Sequence, residues 1–94
     1  MKRVIVLGAG MVGAAMAADL SADYQVTSAD RDEARLAALA SRFSVATQVV
    51  DLAAPDAVAA LCRDADLVIG AVPGYLGFQT LRTVIETGKP VVDI

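Results

Sequence analysis

The chain has 94 residues, enough for one hydrophobic core. Apolar residues make up 56% and mean hydropathy is +0.58, much of it alanine and valine, a composition suited to small-residue helices on a buried sheet. A net charge of −3 with scattered basic residues excludes an electrostatic footprint for nucleic acid, the absence of histidine removes the commonest general base and metal ligand, and the single cysteine excludes an intrachain disulfide.

The predicted elements alternate strand and helix from the start. Arg3 to Leu7 reads as a strand that is apolar on both faces, and Met11 to Ser21 as a helix with Val12, Met16 and Leu20 along one side. Gln25 to Ala29 is a second strand, and Asp32 to Arg42 a second helix, with Leu36, Leu39 and Phe43 at helical spacing. Val45 to Val50 forms a third strand. Pro55 opens a third helix running to about Cys62, with Val58, Leu61 and Cys62 facing inward. Asp66 to Val72 is the fourth strand, broken by Pro73-Gly74. A fourth helix spans Leu76 to Thr87, Gly88 and Pro90 stop it, and Val91 to Ile94 begins a fifth strand. This order predicts a doubly wound α/β domain of Rossmann type, a parallel sheet in the order 3-2-1-4-5 over residues 1–94.

The amino-terminal stretch from Lys2-Arg3 to Ala18 is free of charge until Asp19 and has the look of a secretory signal. Cleavage there would delete the strand and glycine turn that the remaining pattern requires. As a membrane span it is interrupted by glycine and barely long enough. The expectation is a cytoplasmic chain with no membrane or nucleic-acid partner.

Chemistry concentrates at Gly8-x-Gly10-x-x-Gly13. Gly8 allows the tight turn after the strand, Gly10 lets backbone approach a pyrophosphate, and Gly13 packs the helix against the sheet. The whole loop, including Ala9, Met11 and Val12, is expected to face the cofactor, with helix amides turned to the anion. Asp30 follows Gly8 by roughly 20 residues, where a carboxylate can accept both hydroxyls of the adenosine ribose. Asp30 or Asp32 could equally cap the second helix, and Asp32 could do so while Asp30 binds. Asp30 favours NAD by repelling the extra phosphate of NADP, whereas Arg31 could swing towards that phosphate. Asp51 has two readings, a hydrogen bond to the adenine amino group or support for the helix at Pro55. Ala71, Val72 and Pro73 lie across the switch point and are expected to keep the floor clear beneath the pyrophosphate and nicotinamide ribose. Tyr75 reads as a loop aromatic. Cys62 reads as a core residue, no metal site is expected, and no acid/base pair for a reacting carbon is visible, since Lys2 and Lys89 sit at strand starts.

The segments Lys2 to Gly13, Ala29-Asp30-Arg31, Val50-Asp51-Leu52, Ala65 to Pro73 and Glu86 to Ile94 resemble the saccharopine dehydrogenase family, which includes enzymes of the lysine 6-dehydrogenase kind. The resemblance implies hydride transfer with NAD or NADP at a C–N bond of an amino acid derivative. It places Gly8, Gly10 and Gly13 on pyrophosphate, Asp30 on the ribose, Asp51 on the adenine side and Val72-Pro73 under the nicotinamide. Members of that family continue into a catalytic domain, so the expected partner is such a domain or a second copy covering the open sheet edge, and residues 1–94 alone are expected to be inactive. The competing class is a nucleotide-sensing module of potassium channels or transporters. Those carry a glycine-containing segment after the third strand, and Val50-Asp51-Leu52-Ala53 lacks it.

Overall fold

The computed structural model describes all residues, 1–94. Its sheet has five parallel strands in the order β3-β2-β1-β4-β5, as the alternation of segments predicts. These are β1 (Arg3–Leu7), β2 (Gln25–Asp30), β3 (Val45–Val49), β4 (Leu67–Gly70) and β5 (Val91–Asp93). They are joined by helices α1 (Met11–Leu20), α2 (Glu33–Ala40), α3 (Pro55–Cys62) and α4 (Gly74–Glu86). β1 is central, with Val4 beside Val26 and Leu67 and Leu7 beside Ala29 and Gly70.

The two-residue period of β1 divides the core. Ile5 and Leu7 meet Val58, Cys62 and Val84 from α3 and α4, whereas Val4 and Val6 meet Ala17 and Leu39 from α1 and α2. Four consecutive apolar residues are therefore all buried, as a strand covered on both faces requires. β3 stands at the edge and exposes every residue after Val45. Cys62 is fully buried, and that burial pushes its thiol up from the ordinary range, with Lys89 partly opposing the shift. It is an inert core residue.

Three helices differ from expectation. On α1 the buried residues are Gly13 and Ala17, with Met16 and Leu20 at the margin and Val12 54% exposed. The reason is close approach: a Cβ on Gly13 would collide with the Gly8 carbonyl oxygen, so small residues, not large ones, face the sheet. α2 ends at Ala40, two residues earlier than its apolar spacing suggests. Phe43 lies beyond it and is half exposed, with the Arg42 guanidinium 5.6 Å from its ring centre. α4 begins earlier than predicted, at Gly74, directly after the proline that ends the strand segment. Gly77 then packs against the Val72 carbonyl much as Gly13 packs against Gly8. No helix is long and apolar enough to cross a membrane.

Candidate cofactor site

Parallel strands deliver all their carboxyl ends to one edge of the sheet, and the residues singled out in the sequence meet there. The chain leaves β1 at Gly8, whose φ of +99° is a conformation that glycine adopts without strain. Its N–H donates to the Ala29 carbonyl at 2.8 Å, and the Ala71 N–H donates to the Leu7 carbonyl at 2.9 Å. These bonds clamp the corner between the ends of β2 and β4.

Asp30 is the latch of that corner. One carboxylate oxygen accepts the Ala9 N–H at 2.7 Å and the other accepts the Asp32 N–H at 2.8 Å. Asp32, not Asp30, caps α2, accepting the Arg35 N–H at 3.2 Å. Of the two roles that the sequence left open, the capping of α2 falls to Asp32. Asp30 remains half-buried, and an ionised carboxylate oxygen that accepts one hydrogen bond keeps capacity for another.

The three glycines of the corner serve different ends. A Cβ on Gly8 would come within 2.6 Å of the Ala71 carbonyl oxygen, and one on Gly13 would strike Gly8 itself. Gly10 has ordinary extended backbone, φ −69° and ψ −170°, and the nearest atom to an added Cβ is Nη1 of Arg35 at 4.0 Å. Neither backbone nor packing calls for glycine there. The missing side chain leaves open space over the start of α1.

That helix start is open as well. Gly10 provides no side-chain cap and the first turn of α1 holds no acidic residue, so its leading amides and positive dipole end face outward. The start of α4, at Pro73, is likewise without a side-chain cap or an acidic first turn. Two helix N-termini therefore flank the cleft from opposite sides of the switch point, an arrangement that receives anions.

The cleft has two connected parts that share Gly10, Ala71, Val72 and Pro73. The part towards β2 and β3 measures about 350 Å³ and is lined further by Asp30, Arg31, Arg35, Asp51 and Leu52. The part towards β5 measures about 260 Å³ and adds Met11, Val12, Gly13 and Ile94. Every residue anticipated at the site lines one part or the other except Ala9, which contributes its N–H to Asp30. Asp51 serves its own loop, accepting the Ala53 N–H at 2.9 Å, while it also faces the cleft. Ala54 holds the N-cap position of α3, which has no side-chain cap. Tyr75 is 76% exposed and lines neither part. A larger hollow of about 480 Å³ lies between α1 and α2, lined largely by alanines with Leu39 and Phe43, and it adjoins the cleft at Gly10, Met11 and Arg35.

Sequence reading missed Arg35 and Ile94. Arg35 looks like a solvated charge on α2, and only the direction of that helix brings it over Gly10. Ile94 follows β5, and its place is set by the pairing of Gly70 with Asp93.

Fold and cleft together define a Rossmann-type dinucleotide-binding domain. The family model described as the saccharopine dehydrogenase NADP binding domain matches residues 4–94, and the chain belongs to that family. Apo histidine-tagged saccharopine dehydrogenase (L-Glu forming) from Saccharomyces cerevisiae is 30% identical with a TM-score of 0.79, over 99% of this chain and 21% of that one. Two more distant structures share the fold. Pen from Bacillus thuringiensis is 16% identical with a TM-score of 0.82, over 98% of this chain and 36% of that one. A short-chain dehydrogenase/reductase (wide type) from Veillonella parvula DSM 2008, solved in complex with NADP, is 18% identical with a TM-score of 0.75, over 98% and 46%. The chain therefore spans about a fifth of the yeast enzyme's length and under half of the other two. A search of curated proteins finds no match.

Proposed function

We propose that this chain is the cofactor-binding unit of a longer oxidoreductase, binding NAD or NADP along the strand-end cleft and serving hydride transfer at a C–N bond of an amino acid derivative. The observation that carries the reading is Gly10: a glycine required by neither backbone nor packing, beside open helix amides, leaves room for a group that approaches the backbone closely. The Gly10 corner and the α1 amides hold the pyrophosphate, and Asp30 offers its remaining lone pairs to the adenosine ribose. Asp51 and Leu52 border the adenine side. Val72, Pro73 and Ile94 form the apolar floor and wall at the nicotinamide end. When bound, the nicotinamide ring supplies the hydride donor or acceptor. The family name and the NADP complex of a related fold support the phosphorylated cofactor, whereas Asp30 supports NAD, and the site is read as accepting both.

The C–N chemistry rests on the likeness to a saccharopine dehydrogenase, and the substrate-binding and acid/base groups are assigned to a further domain. Calorimetric titration of residues 1–94 with NADH and NADPH tests the proposal. Both should bind, Asp30→Ala should weaken binding by about tenfold or more through loss of a charged acceptor, and no turnover should accompany it. Absence of affinity for either nucleotide would overturn the reading.

A further inference from the structure

We infer that the β3 edge of the sheet is a docking surface for a second copy of this chain, the two β3 strands pairing antiparallel about a two-fold axis at Thr47. The inference is independent of the cofactor reading and starts from a difference between the two edges of the sheet. An edge strand presents backbone donors and acceptors with which another strand can pair, and proteins block such edges with short strands, charges and proline. The β5 edge has all of these devices: it is 3 residues long, Lys89 and Pro90 precede it, and Asp93 ends it. The β3 edge has none. Its 5 residues, with Ser44 before and Val50 after them, include no charge and no proline. Val45, Thr47 and Val49 are β-branched, and every residue after Val45 is exposed.

The backbone of β3 fixes the register. Just past its end, the Val50 N–H donates to the Asp30 carbonyl at 3.1 Å. By the two-residue period, Gln48 and Ala46 also turn their backbone groups to β2, whereas Val45, Thr47 and Val49 turn theirs away from the sheet. The Val45 N–H is held by the Phe43 carbonyl at 2.9 Å, which leaves the Val45 carbonyl free. An antiparallel copy centred on Thr47 uses what remains. Thr47 exchanges both of its bonds with Thr47 of the other copy, and each Val49 N–H donates to the opposite Val45 carbonyl.

The same register suits the side chains. Val45, Thr47 and Val49 share the sheet face on which Val45 joins the core cluster with Leu39. Pairing sets Val49, which is 57% exposed, against Val45 of the other copy, and Thr47 against Thr47, a favourable cross-strand pair. On the opposite face Ala46 stands beside Gln48, so no like charges meet along the strands. At their ends the charges are complementary. Arg42 precedes β3 and makes no ion pair within its own chain, Asp51 follows β3, and an antiparallel copy brings each to the other. The two-fold axis closes the assembly at a dimer, since each copy contributes its one unblocked edge. The two clefts then open at opposite ends of a continuous sheet, and neither is covered.

The test is sedimentation velocity on the 94-residue chain over a concentration series. One short strand per copy buries less than a stable dimer needs, so wild type should pass from monomer to dimer as concentration rises and form nothing larger. Thr47→Lys sets like charges opposite each other at the axis and should weaken association by about tenfold or more. Its urea midpoint at low concentration should match wild type, because Thr47 is exposed. Val92→Lys, the same kind of change on the β5 edge, should leave association as it is. Cross-linking reads the register, with Cys62 buried and out of reach. The sulfurs of Thr47→Cys face each other across the axis within disulfide range, whereas those of Gln48→Cys are offset diagonally and should link about tenfold more slowly. A wild type that stays monomeric up to about 1 mM would overturn the inference. So would species larger than a dimer, equal linking at the two positions, or a dimer dissolved by Val92→Lys and kept by Thr47→Lys.

Discussion

The starts of α1 and α2 solve the same problem in opposite ways. Each helix follows a parallel strand and presents leading amides that have no partner within the helix. At α2 the protein satisfies itself: Asp32 caps the helix and Glu33 sits in the first turn against the positive dipole end. At α1, Gly10 offers no side chain and the first turn no acid. Both helices fold within one small sheet, so the open start is not a failure of local design. On the proposed reading it is donor capacity kept for the cofactor. The contrast repeats within the glycine corner, where a Cβ on Gly8 or Gly13 would strike other backbone and one on Gly10 would meet only Nη1 of Arg35, at 4.0 Å.

The largest expected effect separates those glycines. In Gly13→Ala the new methyl meets the Gly8 carbonyl, backbone that cannot yield without moving α1 off β1. Overpacking of this kind should cost about 3 kcal/mol, a large share of the stability of so small a domain. Gly10→Ala should cost no more than about 1 kcal/mol, the penalty of alanine at a helix cap. Urea denaturation of both variants measures the difference. Equal losses would mean that all three glycines serve packing and would remove the ground for a ligand at Gly10.

A second substitution makes α1 resemble α2. Aspartate at position 10 can adopt the extended backbone found there and can cap the open amides, so Gly10→Asp should leave stability equal or raise it by about 0.5 kcal/mol. The same carboxylate would occupy the space and carry the charge assigned to the pyrophosphate. Affinity for NADH should fall by about a hundredfold, read by the calorimetric titration used for wild type. A gain in stability joined to a loss of binding is the signature of an anion site. Retained affinity would place the cofactor elsewhere.

Much of this was legible in the residues because it depends on local pattern. Val4 to Leu7 followed by three spaced glycines can hardly form anything but a buried strand turning into a closely packed helix, and the strand order follows from the alternation. Asp30 was visible from its distance along the chain. What escaped depends on three-dimensional direction. Val12 fits an apolar stripe by spacing, yet it is exposed because Gly13 and Ala17 bring the helix too close for larger neighbours to turn inward. Gly77 carries no motif, although an isolated glycine inside a helical run is itself a sign of close packing. Arg35 has no sequence signal at all, since i,i+3 pairing with Asp32 is what any solvated helix start would show.

The smallest effect belongs to α2, where the self-satisfied start can be undone. Asp32→Ala removes the acceptor for the Arg35 N–H and with it the ion pair to Nε. Loss of a cap costs about 1 kcal/mol, and an exposed i,i+3 pair adds little. An eight-residue helix has few turns over which to spread that loss, so fraying should concentrate at its start. Urea denaturation should report the modest change, and amide exchange should quicken at Leu36 and its neighbours while the strands stay protected. Asp32→Asn should recover most of the stability because asparagine caps as well as aspartate does. If the alanine variant instead lost as much stability as Gly13→Ala, the Asp32 side chain would be supporting the glycine corner as well as capping α2. The two helix starts would then be one cooperative unit, and the division between a closed end and an open one would have to be redrawn.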